Sequence, residues 1–302
     1  MALKDIKTKI QATLRTHKVT RAMEAVSAVK MRKTQQAALG GRAYARAAVS
    51  ILGRLAGTSA LKSHALVAPR KVETTALLVI TSDKGLAGGL NANVLKRAAE
   101  VVAGKSVENV VVYAYGRKGE EYFSRRGYRI ERAIENKRDD IDLAVVEGLA
   151  AELSAGHQVE LFDEVVAVYS NFKSTFEQVP SVRKVLPLSL DALRQTVAEI
   201  VPAKGKWSDE GALESPASYE IEPSADEVLS KVLPRLLSVS IYHMLLEGKA
   251  SEHSARMVAM KNASDKSKEV ARDLTRSYNK VRQAAITREV SEIVSGREAL
   301  AS

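Results

Sequence analysis

The sequence of 302 residues predicts a small Rossmann-like α/β domain inserted between two long terminal helices. Residues 226–295 contain only one proline and one glycine, and apolar residues recur there at helical spacing. Residues 1–57 contain no proline and have a similar periodicity. Between these segments, β-branched runs alternate with glycine turns and helical patterns, which is typical of α/β domains. We therefore expect an N-terminal helix over 1–57, an α/β domain over 70–220 and a C-terminal helix over 226–296.

The C-terminal helix is unusually long. At a rise of about 1.5 Å per residue, roughly 70 residues would extend about 100 Å, so this helix needs another helix or a partner beside it. Charged residues interrupt every window of about twenty residues, which excludes a membrane span. Residues 248–268 offer mainly Ala, Ser and Met, and the pattern alone favours a coiled coil with a weak seam. Pro234 is expected to mark a helix start or a kink.

The N-terminal helix has a thin apolar stripe. Its predicted members are Leu3, Ile6, Ile10, Leu14, Val19, Met23, Val26 and Val29. The pair Gly40 and Gly41 is expected to kink or loosen the helix. Because the stripes of both terminal helices are thin, we expect these helices to pack mainly on each other.

The central segment begins with a strand, a glycine-rich turn over 85–90 and a helix opening near Asn91 or Asn93, which are good capping residues. The same order of strand, glycine turn and helix repeats after residue 109. A further strand is expected to turn at Ser170 and Asn171 and to return as a strand ending at Pro187. These alternations predict a largely parallel sheet.

Composition narrows the classes of partner. The formal net charge is +10, and residues 1–54 carry 12 Lys and Arg against 2 Asp and Glu. Such a basic segment predicts an acidic partner, which is a nucleic acid, an anionic membrane surface or an acidic protein surface. The absence of cysteine makes disulfides and cysteine metal sites impossible. The first residues lack the pattern of a secretory signal or a transit peptide.

Motifs for catalysis are missing. The turn over 85–90 has neither the Gly-x-Gly-x-x-Gly fingerprint nor the Gly-Lys-Ser/Thr ending of a phosphate loop. We therefore interpret it as a tight connection between strand and helix. The five histidines are scattered, and no nucleophile elbow is present. The sequence predicts no catalytic residue, no metal site and no cofactor, and hence not an enzyme.

Three blocks of sequence carry a family resemblance. They are KDIKTKIQATLRTHKVTRAMEAVSAVKMRK, SDKGLAGGLNAN, and SEHSARMVAMKNASDKSKEV followed by YNKVRQAAITREVSEIVSG. On these blocks the chain resembles the gamma subunits of F-type ATP synthases from end to end. The resemblance implies a rotor shaft whose terminal helices form an antiparallel coiled coil inside a ring of alpha and beta subunits. It also implies that catalysis belongs to the beta subunits.

The same resemblance implies specific contact residues. Arg282, Gln283 and Thr287 match the positions that hydrogen-bond a catch loop on beta. Met23, with Arg21 and Lys30, matches the stretch that faces an acidic lever on beta, although core packing remains an alternative for Met23. The C-terminal end is expected to turn in a close-fitting sleeve through four apolar side chains, which are Ile286, Val290, Ile293 and Val294.

The implied partners are the alpha and beta subunits, the epsilon subunit and the membrane c-ring, with no nucleic acid. The implied location is the cytoplasmic face of a bacterial inner membrane, reached only through the complex. The redox-active dithiol segment of chloroplast members is absent, and the acidic loop over 202–224 is longer than usual. Two alternatives stay open from the residues alone: a basic coiled-coil protein that binds nucleic acid or anionic lipid, and a nucleotide-dependent enzyme.

Overall fold

The computed structural model describes residues 3–40, 59–189, 222 and 224–301. The chain divides into two compact units, residues 1–27 with 256–302, and residues 28–255. The elements, in chain order, are α1 Leu3–Gly40, α2 Ser59–Ser63, β1 Thr75–Ile80, α3 Leu90–Val102, β2 Val110–Tyr115, α4 Arg117–Ser124, β3 Arg129–Ile134, α5 Leu143–Gln158, β4 Glu164–Phe172, β5 Gln178–Leu186 and α6 Ala225–Ala301.

The unit of residues 28–255 contains a five-stranded sheet in the order β3-β2-β1-β4-β5. Strands β1 to β4 run parallel, and β5 pairs antiparallel with β4 at one edge. The predicted α/β class with a largely parallel sheet is therefore confirmed. Every residue of β1 and β2 is buried, as expected for parallel strands that are covered on both faces.

Two hydrophobic clusters cover the two faces of this sheet. On one face, Leu78 packs in a cluster with Leu149 of α5 and Leu233 of α6. On the other face, Leu77 packs in a cluster with Val94 of α3 and Phe123 of α4. The first third of α6 is thus a core helix of the α/β domain, and its apolar residues recur at three- and four-residue intervals for this reason.

Several sequence predictions for this unit are wrong in detail. Helix α3 begins at Leu90 with Gly89 as its N-cap, so neither predicted asparagine is the cap. The Asn91 amide instead donates to Ser82 Oγ at 2.8 Å, and its carbonyl accepts from Ser82 N at 3.1 Å. Pro234 lies inside α6 and does not mark its start.

The predicted turn at Ser170 and Asn171 is also wrong, because β4 continues through both residues to Phe172. The hairpin turns later, where Ser174 Oγ accepts from the backbone N of Glu177 at 3.1 Å. Strand β3 and helix α5 escaped the sequence analysis altogether.

The unit of residues 1–27 with 256–302 is a pair of helices. In α1, the positions with reduced exposure follow a repeat of three and four residues: Leu3, Ile6, Ile10, Thr13, His17 and Thr20. In α6 the same repeat runs through Met260, Ser264, Ser267, Ala271, Leu274 and Tyr278. An average spacing of 3.5 residues is the signature of a coiled coil.

The two helices run antiparallel. His17 Nδ1 lies 3.0 Å from Ser264 O and 2.9 Å from Ser264 Oγ, which fixes one level of the pair. Counting fourteen residues from His17 toward the start of α1, and fourteen from Ser264 toward the end of α6, places Leu3 opposite Tyr278 in an antiparallel pair. Burial on α6 indeed ends near that level, with Tyr278 and Ala285 its last half-buried residues.

The predicted apolar stripe of α1 is wrong over much of its length. The seam uses Thr20 and Ser27, which are 8% and 3% exposed, whereas Val19 and Val26 are 58% and 53% exposed. Leu14 and Val29 are exposed as well. The seam therefore mixes small and polar side chains such as Thr20 and Ser27 with apolar ones such as Ile6, and several large apolar side chains lie on the outer surface.

The predicted domain limits at 57 and 220 and most of the loop over 202–224 lie outside the described residues, and the predicted limit at 70 lies five residues before β1. Among the helices that the structure describes, none is long and apolar enough to cross a membrane.

Candidate functional site

The carboxyl ends of the parallel strands meet at one edge of the sheet. Thr81, Ser82 and Asp83 follow β1, Gly116 follows β2, and Asn136 lies just beyond β3. In open parallel sheets this edge is where ligands usually bind. It is therefore the first place to look for a site.

The glycine-rich turn at this edge is occupied by the chain itself. Asp83 Oδ1 accepts from the backbone N of Arg117 at 2.8 Å, and Ser82 Oγ donates to Lys84 O at 2.6 Å. Gly116 has φ of 101°, and a Cβ there would lie 2.0 Å from Thr81 O. The two loops are thus in direct contact, which agrees with the interpretation of residues 85–90 as a tight connection.

Helix α6 covers the rest of the edge with a buried polar segment, residues 249–254. Its members are almost inaccessible: Lys249 is 3%, Ser251 0%, Glu252 6%, His253 3% and Ser254 0% exposed. The sequence analysis treated this stretch only as poor in large apolar residues. The available signal was a run of charged and hydroxyl residues inside a helix that otherwise alternates by face.

Hydrogen bonds join this segment to the strand ends. Lys249 Nζ donates to Asn136 O at 3.0 Å and also contacts Asn136 Oδ1. The Asn136 amide in turn donates to Thr81 O at 2.8 Å. Ser251 Oγ donates to Ser170 O at 2.9 Å. The segment therefore bonds directly to Asn136 after β3 and to Ser170 in β4, and Asn136 extends the connection to the end of β1.

The loop after β3 also meets helix α1. Lys30 Nζ lies 2.8 Å from Asp139 Oδ2, and Lys33 Nζ lies 2.7 Å from Asp140 Oδ1. His253 Nε2 lies 3.7 Å from Asp139 Oδ1. Burial opposes ionisation of Asp139, but the hydrogen bond from Lys30 and the charges of Lys30, His253 and Lys249 hold its pKa below the usual value. Asp139 is thus an ionised bridge between two helices.

Tyr115, the last residue of β2, lies at this edge beside three carboxylates. Burial, together with the carboxylates of Asp83, Glu252 and Asp142, raises the pKa of Tyr115 to about 12. The phenol therefore stays neutral at physiological pH. Within the described part of the chain, no group of three or more His, Asp or Glu residues is placed to hold a metal ion.

The residues predicted to meet the catch loop lie on the last third of α6. Arg282, Gln283 and Thr287 are all exposed. Gln283 and Thr287 are four residues apart and so share one face of the helix. The structure leaves their side chains accessible, and their role remains a prediction.

The four predicted sleeve residues lie on the same part of α6, and all are exposed. Ile286 is 46%, Val290 55%, Ile293 71% and Val294 51% exposed. Their spacing of four, three and one residues places them along one apolar stripe. A stripe of this kind on a helix is typical of a surface that a partner covers.

The predicted lever residues differ from one another. Arg21 is exposed and Met23 is half-buried, so both core packing and partner contact stay open for Met23. Lys30 is already paired with Asp139 within the chain, which the sequence analysis did not anticipate.

A Rossmann-like domain whose ligand edge is filled by its own helix, joined to an antiparallel coiled coil, defines a structural stalk protein rather than a nucleotide-dependent enzyme. The comparisons with known proteins agree with this class. A family model described as ATP synthase matches residues 2–300. The chain belongs to the family of ATP synthase gamma chains.

Two relatives illustrate the match. The ATP synthase gamma chain of Pelotomaculum thermopropionicum is 39% identical over 299 residues, covering 99% of both chains. The ATP synthase gamma chain of Roseiflexus sp. (strain RS-1) is 39% identical over 302 residues, covering 99% of this chain and 98% of the relative.

Solved structures share the fold at lower identity. A chain from the central stalk and c-ring structure of the Tetrahymena thermophila mitochondrial ATP synthase has a TM-score of 0.60 and 24% identity, covering 82% of this chain and 99% of its own. A chain from the Euglena gracilis mitochondrial ATP synthase in rotational state 3 has a TM-score of 0.63 and 17% identity, covering 99% and 94%.

Proposed function

We propose that this chain is the central rotor shaft of an F-type ATP synthase, coupling proton flow through the membrane ring to ATP synthesis and hydrolysis on the beta subunits. The observation that carries the proposal is the antiparallel pair of terminal helices, on whose outer surface apolar side chains such as Val19 and Val26 are 58% and 53% exposed. Exposed apolar residues on a helix pair need a surrounding partner. The chain itself performs no catalysis.

The coupling follows from symmetry. Three beta subunits of identical sequence differ in nucleotide affinity only if something asymmetric favours a different conformation in each. A single helix pair has no threefold symmetry, so each beta subunit meets a different face of it. Rotation then passes each conformational preference to the next subunit.

The coupling is also reciprocal. If the orientation of the shaft changes the affinity of a beta subunit for nucleotide, then nucleotide binding changes the preferred orientation of the shaft by the same free energy. The same chain therefore serves synthesis when the membrane ring drives it and hydrolysis when the beta subunits do.

Arg282, Gln283 and Thr287 are proposed as the contacts to the catch loop of beta. The planar guanidinium of Arg282 can form two parallel hydrogen bonds to a carboxylate. Because both Arg282 and Gln283 are exposed, such a bond can form and break during rotation without unfolding the helix.

The sleeve is proposed to contact Ile286, Val290, Ile293 and Val294. Apolar contacts have little directional preference, so they exclude water while permitting rotation. A set of fixed hydrogen bonds at the same place would have to break at every step.

Met23, Arg21 and Lys30 are proposed to face the acidic lever of beta. Lys30 shares an exposed pair with Asp139, in which each side chain is 39% exposed. Exposed pairs contribute little free energy, so an acidic partner loop can compete with Asp139 for this ammonium group.

As a gamma chain, this protein has its partners within the membrane-associated ATP synthase complex. We propose that these partners are the alpha and beta subunits around the helices and the epsilon subunit and c-ring at the α/β domain. We also propose that the complex lies on the cytoplasmic face of a bacterial inner membrane and that no nucleic acid is bound.

Reconstitution tests the proposal. Vesicles that contain the membrane sector are combined with the catalytic subunits, with or without this chain, and ATP-driven proton uptake is measured. We expect proton uptake only when the chain is present. ATP hydrolysis by the catalytic subunits is measured in parallel, because hydrolysis can proceed without proton uptake. Proton uptake without the chain would refute the proposal.

The alternatives are tested on the isolated chain. A basic nucleic-acid-binding protein would be retained on DNA in a strongly salt-dependent manner. A nucleotide-dependent enzyme would bind nucleotide in calorimetry. We expect neither result.

A further inference from the structure

We infer that the loop of residues 136–140, together with Lys249, Ser251 and His253, is a torsional joint that fixes both terminal helices to the sheet. The inference rests on the proposed function, because a joint matters only if the chain carries torque. The torsional joint consists of these residues together with Lys30 and Lys33 of α1.

Helix α6 enters the joint through buried groups. Lys249 is 3% exposed and donates to the backbone carbonyl of Asn136 at 3.0 Å. Asn136, itself 8% exposed, passes the contact on to Thr81 O at 2.8 Å. Ser251 Oγ adds a bond to Ser170 O at 2.9 Å. Helix α6 is therefore bonded directly to Asn136, which follows β3, and to Ser170 in β4, and through Asn136 it is connected to Thr81 after β1.

Helix α1 contacts the same loop through two lysines. Lys30 pairs with Asp139 at 2.8 Å, and Lys33 pairs with Asp140 at 2.7 Å. Asp139 also lies 3.7 Å from His253 of α6. Three residues of this loop, Asn136, Asp139 and Asp140, thus contact the terminal helices, and Asp139 contacts both of them.

Close packing supports the hydrogen bonds. A Cβ placed on Gly248 would lie 3.0 Å from Ile80 Cγ2. The backbone of α6 at Gly248 therefore packs closely against the side chain of Ile80, the last residue of β1. A helix in such close contact cannot turn about its axis without displacing Ile80.

The contacts of the joint differ in strength. The pair of Lys33 and Asp140 is 67% and 76% exposed and is weak for that reason. The ammonium of Lys249 is buried and lies 4.0 Å from Glu252 Oε2 of the same helix, so withdrawing it from Asn136 would break a charge-assisted hydrogen bond at a site that water does not reach. A small rotation of α6 against the sheet is therefore strongly opposed at Lys249. Among the polar contacts of the joint, we assign the largest share of torsional stiffness to this residue, in addition to the apolar packing of α6 on the sheet.

The assembled complex tests this assignment. Lys249→Met keeps the length of the side chain and removes the charge and the donors. We expect the complex with K249M to hydrolyse ATP at the wild-type rate but to lose ATP-driven proton uptake, because α6 slips against the domain that contacts the ring. Ser251→Ala, which removes one bond and leaves no void, should lose uptake to a smaller extent.

Lys266→Met is the matched control on the same helix. Lys266 pairs only locally with Glu269 at 2.9 Å, and their side chains are 67% and 59% exposed. We expect K266M to pump like the wild type. A loss of uptake in K266M equal to that in K249M would overturn the joint.

A covalent rescue separates torque transmission from a purely structural role. Ile80→Cys with Gly248→Cys places two thiols in range, because Cγ2 of Ile80 is about 1.5 Å from its own Cβ and disulfides need Cβ atoms about 3.5–4.5 Å apart. The chain has no other cysteine. The triple variant Ile80→Cys, Gly248→Cys, Lys249→Met is placed in a complex whose remaining subunits are also free of cysteine. Oxidation should form the disulfide and restore uptake, and dithiothreitol should remove it again.

The outcomes distinguish the two proposals. If the wild-type chain restores no proton uptake, both the shaft function and the joint are refuted. If the wild type pumps and K249M pumps equally well, only the joint is refuted. If K249M fails to assemble, wild-type uptake by S251A refutes the joint, whereas partial loss of uptake in S251A supports it.

Discussion

Ala271 offers a sharp test of the coiled-coil seam. It is 4% exposed and occupies a seam position of α6. With His17 opposite Ser264, one antiparallel heptad further along places Ala271 opposite Ile10. We therefore predict that Ala271→Leu forces a second large side chain against Ile10 and lowers the free energy of unfolding.

The magnitude follows from two opposed effects. Leu adds three carbons, and burying them in available space would stabilise the fold by about 2 kcal/mol. If the seam is close-packed, the same atoms displace the partner helix and cost about 1–3 kcal/mol. The sign of the change therefore reports directly whether the helices are in contact at this level.

The assay is urea unfolding of the full-length chain, followed by the helical circular dichroism signal. Ser277→Leu, at an exposed position of the same helix, is the control and should change the midpoint little. The double variant Ile10→Ala with Ala271→Leu should recover part of the loss. A coupling free energy of about 1 kcal/mol or more is expected for residues in contact.

Strict additivity of the two substitutions would refute the register. A stabilising effect of A271L alone would show instead that space remains between the helices at this level.

Three further predictions concern the tip and the domain. Arg282→Ala with Gln283→Ala should lower ATP synthesis by the complex and leave the unfolding midpoint of the isolated chain unchanged, since both residues are exposed; an equal loss of stability would contradict a partner contact. Deletion of 290–302 should slow rotation moderately in single-molecule assays without unfolding the chain, and global unfolding would contradict the sleeve. Burial opposes ionisation of Glu164, but hydrogen bonds from Lys105 and from a threonine hydroxyl lower its pKa, so the free energy of unfolding should fall as pH is lowered from about 5 to 3. E164Q should flatten that dependence, and an unchanged slope would refute it.

The long helices and the parallel sheet were predictable because their signals are periodic. A proline-free run with helical spacing has few other interpretations, and buried parallel strands are continuous apolar runs, as in β1 and β2. Strand β3 was missed because its residues alternate between intermediate and exposed and include three charged side chains. As an edge strand it lacks the strong apolar signal of its neighbours.

The seam was mispredicted for a different reason. Sequence periodicity assigns burial to the largest apolar residues, but this seam buries Thr20 and Ser27 and exposes Val19 and Val26. When a helix has partners on two sides, hydrophobicity marks both surfaces. The polar contacts of Lys249 were missed because nothing in a single sequence places it beside Asn136, 113 residues away.

Helix α6 extends beyond the level at which α1 begins. Among the residues of α6 up to 297, whose burial the structure describes, Tyr278 and Ala285 are the last half-buried ones, although the helix continues to Ala301. A solitary helix of some sixteen residues is marginal in water and owes most of its stability to whatever encloses it. With the sleeve that we propose, the final turns gain their rigidity at assembly rather than at folding, and a sleeve that closes only around an ordered tip would accept correctly built complexes and reject incomplete ones.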